Sequence, residues 1–243
     1  MNFQDFLEAV AHRPAAPRVL LFPPHPDDET LTGLLPLRLR EEVPGTRVDV
    51  LPATYGSNEE RRPARRRELE AACAVLGFQP LPVPETGFAP VEAAQLAPIL
   101  GNYDLVVAPH HLDGHPRHRK TSLLLRHALK LAALPSPPSI AETDYWMPND
   151  APNLLVEASP RHLETLKQAL ECHAGEVARN DYHLRLAAWM SDNVRRAAEW
   201  LPRPVGTPRG TPAFPAGTIA YGTLYKLRPL DGRRSFVIPA PAE

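Results

Sequence analysis

The stretch that decides the fold spans residues 18–30 and reads RVLLFPPHPDDET. Its apolar first half predicts a buried β-strand over 18–24, and the leucines that follow recur at helical spacing between Glu29 and Glu42. The same alternation continues along the chain, with further strands predicted at 47–53, 81–83, 104–109, 139–146 and 154–158, and further helices at 62–76, 91–100, 118–133 and 160–180. Alternating strands and helices indicate a mainly parallel sheet that is covered by helices on both faces.

We therefore expect an α/β fold, a Rossmann-like three-layer arrangement with a mainly parallel sheet and an elaborated C-terminal third. No linker or internal repeat divides the chain, so residues 1–243 are expected to form a single domain. The 30 prolines and 13 glycines stay below the ~25–30% that marks low-complexity chains. The prolines are expected to punctuate a folded domain, and their cluster at 202–215 predicts a long loop, either a surface connection or a pocket rim.

The charge balance excludes several classes of protein. The chain has 27 basic and 28 acidic side chains, and a net charge of -1 argues against a basic surface for nucleic acid. No apolar run approaches the ~18–20 residues of a membrane span, and the N-terminal MNFQDFLEAV does not have the pattern of a signal peptide. Two cysteines do not make a disulfide framework. We expect a cytoplasmic protein without a membrane span or a nucleic-acid partner.

The first group of residues that could carry chemistry is PHPDDE at 24–29, directly after the first strand. In an open α/β sheet, ligands bind outside the carboxyl ends of the strands, which is where this group lies. The three consecutive carboxylates repel one another. A loop that holds them together beside an imidazole therefore needs a cation. Histidine and aspartate are standard Zn²⁺ ligands. The group therefore predicts part of a metal site.

The second group is HHLDGHPRH at 110–118, which follows the strand at 104–109 and has four histidines in nine residues. A lone histidine at the end of a strand is usually a surface group or a hydrogen-bonded core group. Here, however, two strands of one parallel sheet both end in imidazole and carboxylate side chains, so their tips can converge. The combination predicts a metal site with three protein ligands and an open position for water.

These two groups resemble the motifs of a known family, the PIG-L/LmbE-like zinc-dependent N-deacetylases. Residues 24–29 resemble its (A/P)HPDDE motif, and residues 104–118 resemble its second motif, a strand followed by DGHPDH. Weaker matches to its RxxE and KxxAL..H helices are Arg65 with Glu68, and Lys167, Ala169 and Leu170 with His173. The resemblance runs from about residue 18 to residue 175 in the order and spacing of the family.

The resemblance implies roles for the residues of both motifs. His25, Asp28 and His118 would bind one Zn²⁺ per chain. Asp27 would be the general base that takes a proton from the attacking water. His115 would stabilise the oxyanion or protonate the departing amine.

The resemblance also implies residues around the substrate, and it shows where this chain departs from the family. Arg65 would orient the substrate, and Asp113 would lie behind the metal site or at the substrate rim. Arg117 stands where the family usually has aspartate, so either Asp113 supplies the missing acceptor or the metal affinity differs. Ala174 and Gly175 replace the usual Ser-Gln.

The activity that the resemblance implies is hydrolysis. A metal-activated water would remove the acetyl group from an N-acetylated amino sugar, an N-acetylglucosaminyl conjugate. Two alternatives stay open: a zinc hydrolase of a non-sugar amide or ester, and a non-catalytic metal-dependent binding protein, which would need neither Asp27 nor His115. The expected partner is a small N-acetylated substrate, and the resemblance implies a homo-oligomer, a trimer or a hexamer.

Other conspicuous residues have open interpretations. Glu29 is expected to be an acid of the first helical turn, and His173 a hydrogen-bonded core histidine on an apolar helix face. Tyr145 and Trp146 either line the pocket or pack within a strand. The arginine-rich run at 61–67 predicts a solvated helix face or, alternatively, a site for an acidic substrate.

Overall fold

The computed structural model describes residues 3–10, 16–82, 91–201, 208, 211, 213–215, 217–228 and 235–241. The helices are α1 (Phe3–Val10), α2 (Asp28–Leu31), α3 (Leu34–Glu42), α4 (Arg62–Leu76), α5 (Ala93–Leu100), α6 (Pro116–Ala132), α7 (Pro160–Glu171), α8 (Ala174–Val177) and α9 (Tyr182–Trp200). The strands are β1 (Arg18–Leu21), β2 (Arg47–Val50), β3 (Gln79–Pro80), β4 (Leu105–Pro109), β5 (Ser139–Thr143), β6 (Leu154–Ala158), β7 (Tyr221–Arg228) and β8 (Phe236–Ile238).

The described strands form one eight-stranded sheet in the order β3-β2-β1-β4-β5-β7-β6-β8. Strand β7 runs antiparallel to β5 and β6, and the other pairs are parallel, which confirms the predicted α/β class. The chain leaves β1 for β2 on one side and later returns to β4 on the other. The crevice outside the carboxyl ends of β1 and β4 is therefore the switch point where such sheets bind ligands.

Strand β1 is buried on both faces, as its uninterrupted apolar sequence requires. Val19 and Leu21 point into a core cluster with the leucines of α3 and α4, whereas Leu20 and Phe22 point into a second cluster with α5 and α6. This alternation follows from the two-residue period of a strand. The two clusters give the predicted three layers.

The helix predicted from Glu29 to Glu42 is in fact two helices, which separate at Thr32 and Gly33. The hydroxyl of Tyr225 fills the break, because it donates to the Thr32 carbonyl at 2.8 Å and accepts from the Leu35 N–H at 3.1 Å. A Cβ at residue 33 would lie 2.1 Å from a carbonyl oxygen of α2, so the break requires glycine. The leucine spacing indicated the helical segments but could not reveal a tyrosine from β7.

The helix predicted at 160–180 is also divided. Helix α7 ends at Glu171, and the short α8 follows after His173, whose φ of -81° and ψ of 57° leave the helical region. The amphipathic α9 completes the elaborated C-terminal third. Of the proline-rich stretch at 202–215, only residues 208, 211 and 213–215 are described.

Several prolines and one glycine set the ends of helices. Pro63, Pro116 and Pro160 lie in the first turns of α4, α6 and α7, where the missing N–H costs no hydrogen bond. Gly77 ends α4 in the left-handed conformation with φ of 66°. Among the described helices, none combines the length and the apolar composition that a membrane span requires.

Candidate metal centre

The loops after β1 and β4 bring the three predicted metal ligands together. Donor atoms of His25, Asp28 and His118 all lie within 4.8 Å of one another. Asp28 is central, because its Oδ2 lies 3.3 Å from His25 Nδ1 and its Oδ1 lies 3.5 Å from His118 Nε2. Asp28 and His118 are buried, and His25 is partly exposed towards a cavity.

The donor set fits a zinc ion. Two imidazoles and one carboxylate are typical ligands of catalytic zinc, and three ligands leave a position open. Behind His118, its Nδ1 lies 3.3 Å from Oδ2 of the buried Asp113. Zinc-bound histidines commonly direct their second nitrogen to such a carboxylate. Asp113 thus lies where an acceptor for His118 would be needed, and Arg117 has no acceptor to offer.

Asp113 was expected in the metal surroundings or at the substrate rim, and the structure places it behind His118. Besides contacting that imidazole, its Oδ1 accepts the N–H of His115 at 2.7 Å. It is not among the residues that line the cavity, because both carboxylate oxygens face inward. These contacts suit the first of the two expected places, behind the candidate ligands, where Asp113 can position two histidines.

The carboxyl group of Asp28 and the imidazole of His118 shift each other's pKa. Burial raises the pKa of Asp28, but the imidazoles of His118 and His25 outweigh it and lower that pKa to about 2. Burial lowers the pKa of His118, whereas Asp28 and Asp113 raise it, with a raised pKa as the net result. Asp28 is therefore an anion at neutral pH, as a carboxylate ligand must be.

Asp27 has a strained backbone. Its φ of 118° and ψ of -35° lie where residues other than glycine rarely occur. Its N–H donates to Glu29 Oε2 at 2.8 Å, and its carbonyl accepts the Thr30 hydroxyl at 2.6 Å. The side chain precedes α2 but makes no capping hydrogen bond. The strained conformation leaves the carboxylate on the cavity wall rather than at the helix N-terminus.

The carboxyl group of Asp27 is a stronger base than an ordinary aspartate. Burial raises its pKa well above the usual value, and the negative charges of Asp28, Glu29 and Glu176 raise it further, while Arg65 opposes them. A carboxylate with a raised pKa accepts a proton more readily. The position of Asp27 on the cavity wall and its raised pKa both suit a general base.

Glu29 and His173 form a buried pair that the sequence did not predict. Glu29 Oε1 lies 2.5 Å from His173 Nε2, and both side chains are fully buried. Because the other oxygen of Glu29 holds the Asp27 N–H, the pair connects the end of α7 to the strained loop. The expectation of a paired core histidine at 173 agrees with this contact, but Glu29 is more than an acid of the first turn.

Arg65 is buried, unlike most of the arginine-rich run at 61–67 that surrounds it. Its Nη2 donates to the Pro26 carbonyl at 2.7 Å and lies 3.7 Å from Asp27 Oδ1. Its Nε lies 3.6 Å from Glu176 Oε1, a carboxylate that sequence reasoning missed. Arg65 thus braces the loop of Asp27 and also lines the cavity.

His115 lies beside the candidate ligands at the start of α6. Its ring centroid is 5.0 Å from that of His118, 5.7 Å from that of His25 and 6.0 Å from that of Trp146. Burial, His118 and His25 lower its pKa. Trp146 is 47% exposed and lines the cavity, whereas Tyr145 packs against the core, so the two aromatic residues have different roles.

The candidate ligands border a cavity of about 680 Å³, a volume within the ~300–1,000 Å³ range of small-molecule sites. Of the predicted site residues it exposes His25, Asp27, Asp28, Arg65, His115 and His118. Further lining residues come from the loops after β2, β5 and α8, from helices α6 and α8, and from the start of α9. They include Tyr55, Ser57, Asn58, Arg61, Arg117, Trp146, Gly175, Glu176, Arg179 and Tyr182.

Comparisons with known proteins agree with this site and fold. Residues 20–129 match the family model described as PIG-L: GlcNAc-PI de-N-acetylase. No curated protein matches the chain. Among solved structures, N,N′-diacetylchitobiose deacetylase from Pyrococcus horikoshii is 20% identical with a TM-score of 0.63, over 93% of this chain and 90% of that one.

Two further solved structures have the same fold. A conserved protein from Thermus thermophilus is 21% identical with a TM-score of 0.61, over 88% of this chain and 95% of that one. The 4-carboxy-2-hydroxymuconate hydratase from Pseudomonas putida is 16% identical with a TM-score of 0.61, over 87% and 96%. The family match includes both motifs, so the predicted resemblance to the PIG-L family is confirmed over residues 20–129.

Proposed function

We propose that the protein is a zinc-dependent hydrolase that removes an acetyl group from an N-acetylated amino sugar, an N-acetylglucosaminyl conjugate. The observation that carries the proposal is the position of Asp27, a buried carboxylate of raised pKa beside the group of His25, Asp28 and His118. The names of the matching family and of the P. horikoshii neighbour, both deacetylases of amino sugars, support the substrate class.

His25, Asp28 and His118 would hold one zinc ion. When bound, the metal supplies Lewis-acid chemistry to the amide carbonyl and to the attacking water. Asp28 remains ionised for this role because the two histidines lower its pKa. Asp113 orients His118 from behind, which keeps its Nε2 directed towards Asp28.

Asp27 would take the proton from the attacking water. Its backbone is locked by Glu29 and Thr30, so the carboxylate needs no rearrangement before it reacts. A positioned general base contributes about 10²–10⁴-fold to the rate. Arg65 keeps the carboxylate oriented and, as part of the cavity wall, would also orient the substrate.

His115 would stabilise the oxyanion or protonate the departing amine. Its backbone is fixed by Asp113, and its ring lies among His25, His118 and Trp146. The buried Nδ1 has no hydrogen-bond partner within the described part of the chain. An imidazole so placed can donate or accept a proton next to the metal site.

A second candidate is a zinc hydrolase of a non-sugar amide or ester. This candidate is favoured by Arg117 and Gly175, which line the cavity and differ from the residues usual in the family. The hydratase neighbour shows that the same fold also carries a different reaction. A non-catalytic binding protein is disfavoured, because such a protein would need neither Asp27 nor His115.

The test is release of free amine from a panel of N-acetylglucosaminides, with non-sugar N-acetyl amides and esters as the second arm. Turnover in the sugar arm, lost together with bound zinc in His25→Ala, is the expected result. His127→Ala, an exposed histidine of α6 outside the cavity, is the matched control and should retain both. Turnover in the second arm alone would contradict the sugar assignment.

The oligomeric state is proposed from the family resemblance alone. We propose a trimer or a hexamer whose protomers each bind a small N-acetylated substrate. Light scattering at micromolar concentration tests this, and a monomer would contradict it.

A further inference from the structure

The cavity beside the candidate metal centre is rich in guanidinium groups. They come from separate parts of the chain, namely from α6, from the N-terminal end of α4, and from the loop after α8. The four arginines that line it are Arg61, Arg65, Arg117 and Arg179. Which of them is available to a substrate depends on the carboxylates that each one already contacts.

Two of these arginines share a carboxylate. Arg65 lies between Asp27, at 3.7 Å, and Glu176, at 3.6 Å. Arg179 forms an ion pair with the same Glu176. Their charges are therefore largely compensated within the protein.

Arg61 can line the cavity because residue 175 is glycine. Its Nη2 is paired with Glu68 Oε1 at 3.1 Å, and Glu68 also accepts the Gly175 N–H at 3.2 Å. A Cβ at residue 175 would lie 1.6 Å from that Nη2, so the guanidinium occupies the space that a side chain would fill. Gly175 thus makes room for Arg61 on the cavity wall, but the charge of Arg61 is already paired with Glu68.

Arg117 is the other departure, and it remains uncompensated. It lies between His115 and His118 in the first turn of α6, it is exposed, and it lines the cavity. Within the described part of the chain, no carboxylate pairs with it. The metal centre does not require a carboxylate at this position, because Asp113 already supports His118.

We propose that Arg117 is a specificity-determining residue that binds an anionic group of the substrate, a phosphate or a carboxylate. The inference rests on the proposed function for the N-acetylated amino-sugar part of the substrate. The planar guanidinium suits both oxyanions, because it can donate two parallel hydrogen bonds to either. Neutral amino sugars should then be poorer ligands than their anionic derivatives.

Binding to zinc-loaded protein tests the proposal by calorimetry, in an Asp27→Asn background that does not consume the ligand. The ligands are methyl N-acetylglucosaminide as the neutral reference, N-acetylglucosamine 1-phosphate and 6-phosphate, and N-acetylmuramic acid as a carboxylate. At least one anionic ligand should bind about 10- to 100-fold more tightly than the neutral one, as expected for a charge-assisted hydrogen bond. Comparison of the two phosphate ligands with the carboxylate ligand identifies which anionic group Arg117 prefers.

Arg117→Gln should abolish the preference for the anionic ligand, and Arg117→Asp should reverse it. Lys120→Gln removes a charge from an exposed position of the same helix outside the cavity, and it should keep the preference. Equal binding of neutral and anionic ligands, no binding of any anionic ligand, or an equal loss for both kinds in Arg117→Gln would overturn the proposal.

The same ligands separate this proposal from the proposed function. If an anionic ligand binds selectively through Arg117 but the unmodified zinc-loaded protein releases no amine from any of them, deacetylation is wrong and the specificity role stands. If amine is released from neutral and anionic compounds with equal kcat/KM, deacetylation stands and the role of Arg117 is wrong.

Discussion

At the scale of single residues, the strained backbone of Asp27 determines where its carboxylate lies. A φ of 118° is costly for aspartate, and it persists because Glu29, Thr30 and Arg65 all bond to the same short loop. The strain keeps the carboxylate off the helix N-terminus and on the cavity wall. The same burial that makes the loop rigid raises the pKa of Asp27.

The pH dependence of kcat/KM should shift when the positive charge of Arg65 is removed. A base must be ionised, so kcat/KM falls as the pH drops through the pKa of Asp27. Arg65 lowers that pKa, so Arg65→Gln should move the acidic limb to higher pH by about one unit, since a nearby opposite charge shifts a pKa by ~1–3 units. The measurement is the pH profile of kcat/KM.

The exposed Arg66, on the same helix, provides the control. Arg66→Gln should leave the acidic limb in place. An acidic limb that stays unchanged or moves to lower pH in Arg65→Gln would show that Asp27 is not the base that controls activity.

The two motifs of the candidate metal centre could be found in the sequence because each is contiguous and follows a buried strand, and the family resemblance then implied which of their residues bind the metal. The pair of Glu29 and His173 could not, since the two residues are 144 positions apart and meet only when α7 packs on α2. The sequence shows a third carboxylate in the first motif and a histidine on an apolar helix face, but it does not show that these two residues are partners.

At the scale of helices and strands, the elements around the site are joined by buried polar contacts. The break between α2 and α3 is filled by Tyr225 of β7, and Arg38 of α3 donates to the Glu157, Ile238 and Pro239 carbonyls. These contacts anchor α3, the helix that follows the first motif and α2, to the far half of the sheet. Leucine periodicity predicted where the helices lie, but the break follows from a contact between distant parts of the chain.

Tyr225→Phe should destabilise the fold without removing any apolar surface. The change leaves the Leu35 N–H and the Thr32 carbonyl buried without a partner, at a cost of about 1–3 kcal/mol for each group. The free energy of unfolding from urea titration measures the loss. Tyr221→Phe, at a partly exposed position of the same strand, should change it little, and equal stability of the two variants would disprove this role.

Helix α7 should lose stability on acidification through His162. Its Nδ1 accepts the Ser159 N–H at 3.1 Å, so its Nε2 carries the proton, 3.2 Å from Glu41 Oε2. Burial lowers the pKa of His162, with Arg38 acting in the same direction and Glu41 in the opposite one. The neutral form is therefore favoured in the folded protein.

The lowered pKa of His162 determines the direction in which the free energy of unfolding changes with pH. The contribution of His162 to stability is fully present above its unfolded pKa of ~6.5, and it is lost as the pH falls through the lower folded value. His162→Gln keeps a capping residue but cannot titrate. We expect the free energy of unfolding of the unmodified protein to fall more steeply below pH ~6.5, by up to ~1.4 kcal/mol per pH unit. Parallel curves for the two proteins would contradict this.

At the scale of the whole molecule, the site lies where the strand order reverses between β1 and β4. Both motifs follow those two strands, so the sheet brings them together although they are almost 90 residues apart. The parallel part could be predicted because alternating strands and helices are a local signal. The insertion of β7 between β5 and β6 could not, because its register depends on residues about 60–90 positions away.

The most direct test is release of amine from an N-acetylglucosaminide by Asp27→Asn protein whose zinc content has been verified. The predicted result is one zinc per chain and a rate lowered by about 10²–10⁴-fold relative to the unmodified protein. Asp150→Asn, an exposed aspartate paired with Lys226, should retain both zinc and activity. Unchanged turnover in Asp27→Asn would contradict the assignment of Asp27 as the base, as would loss of the metal together with the activity.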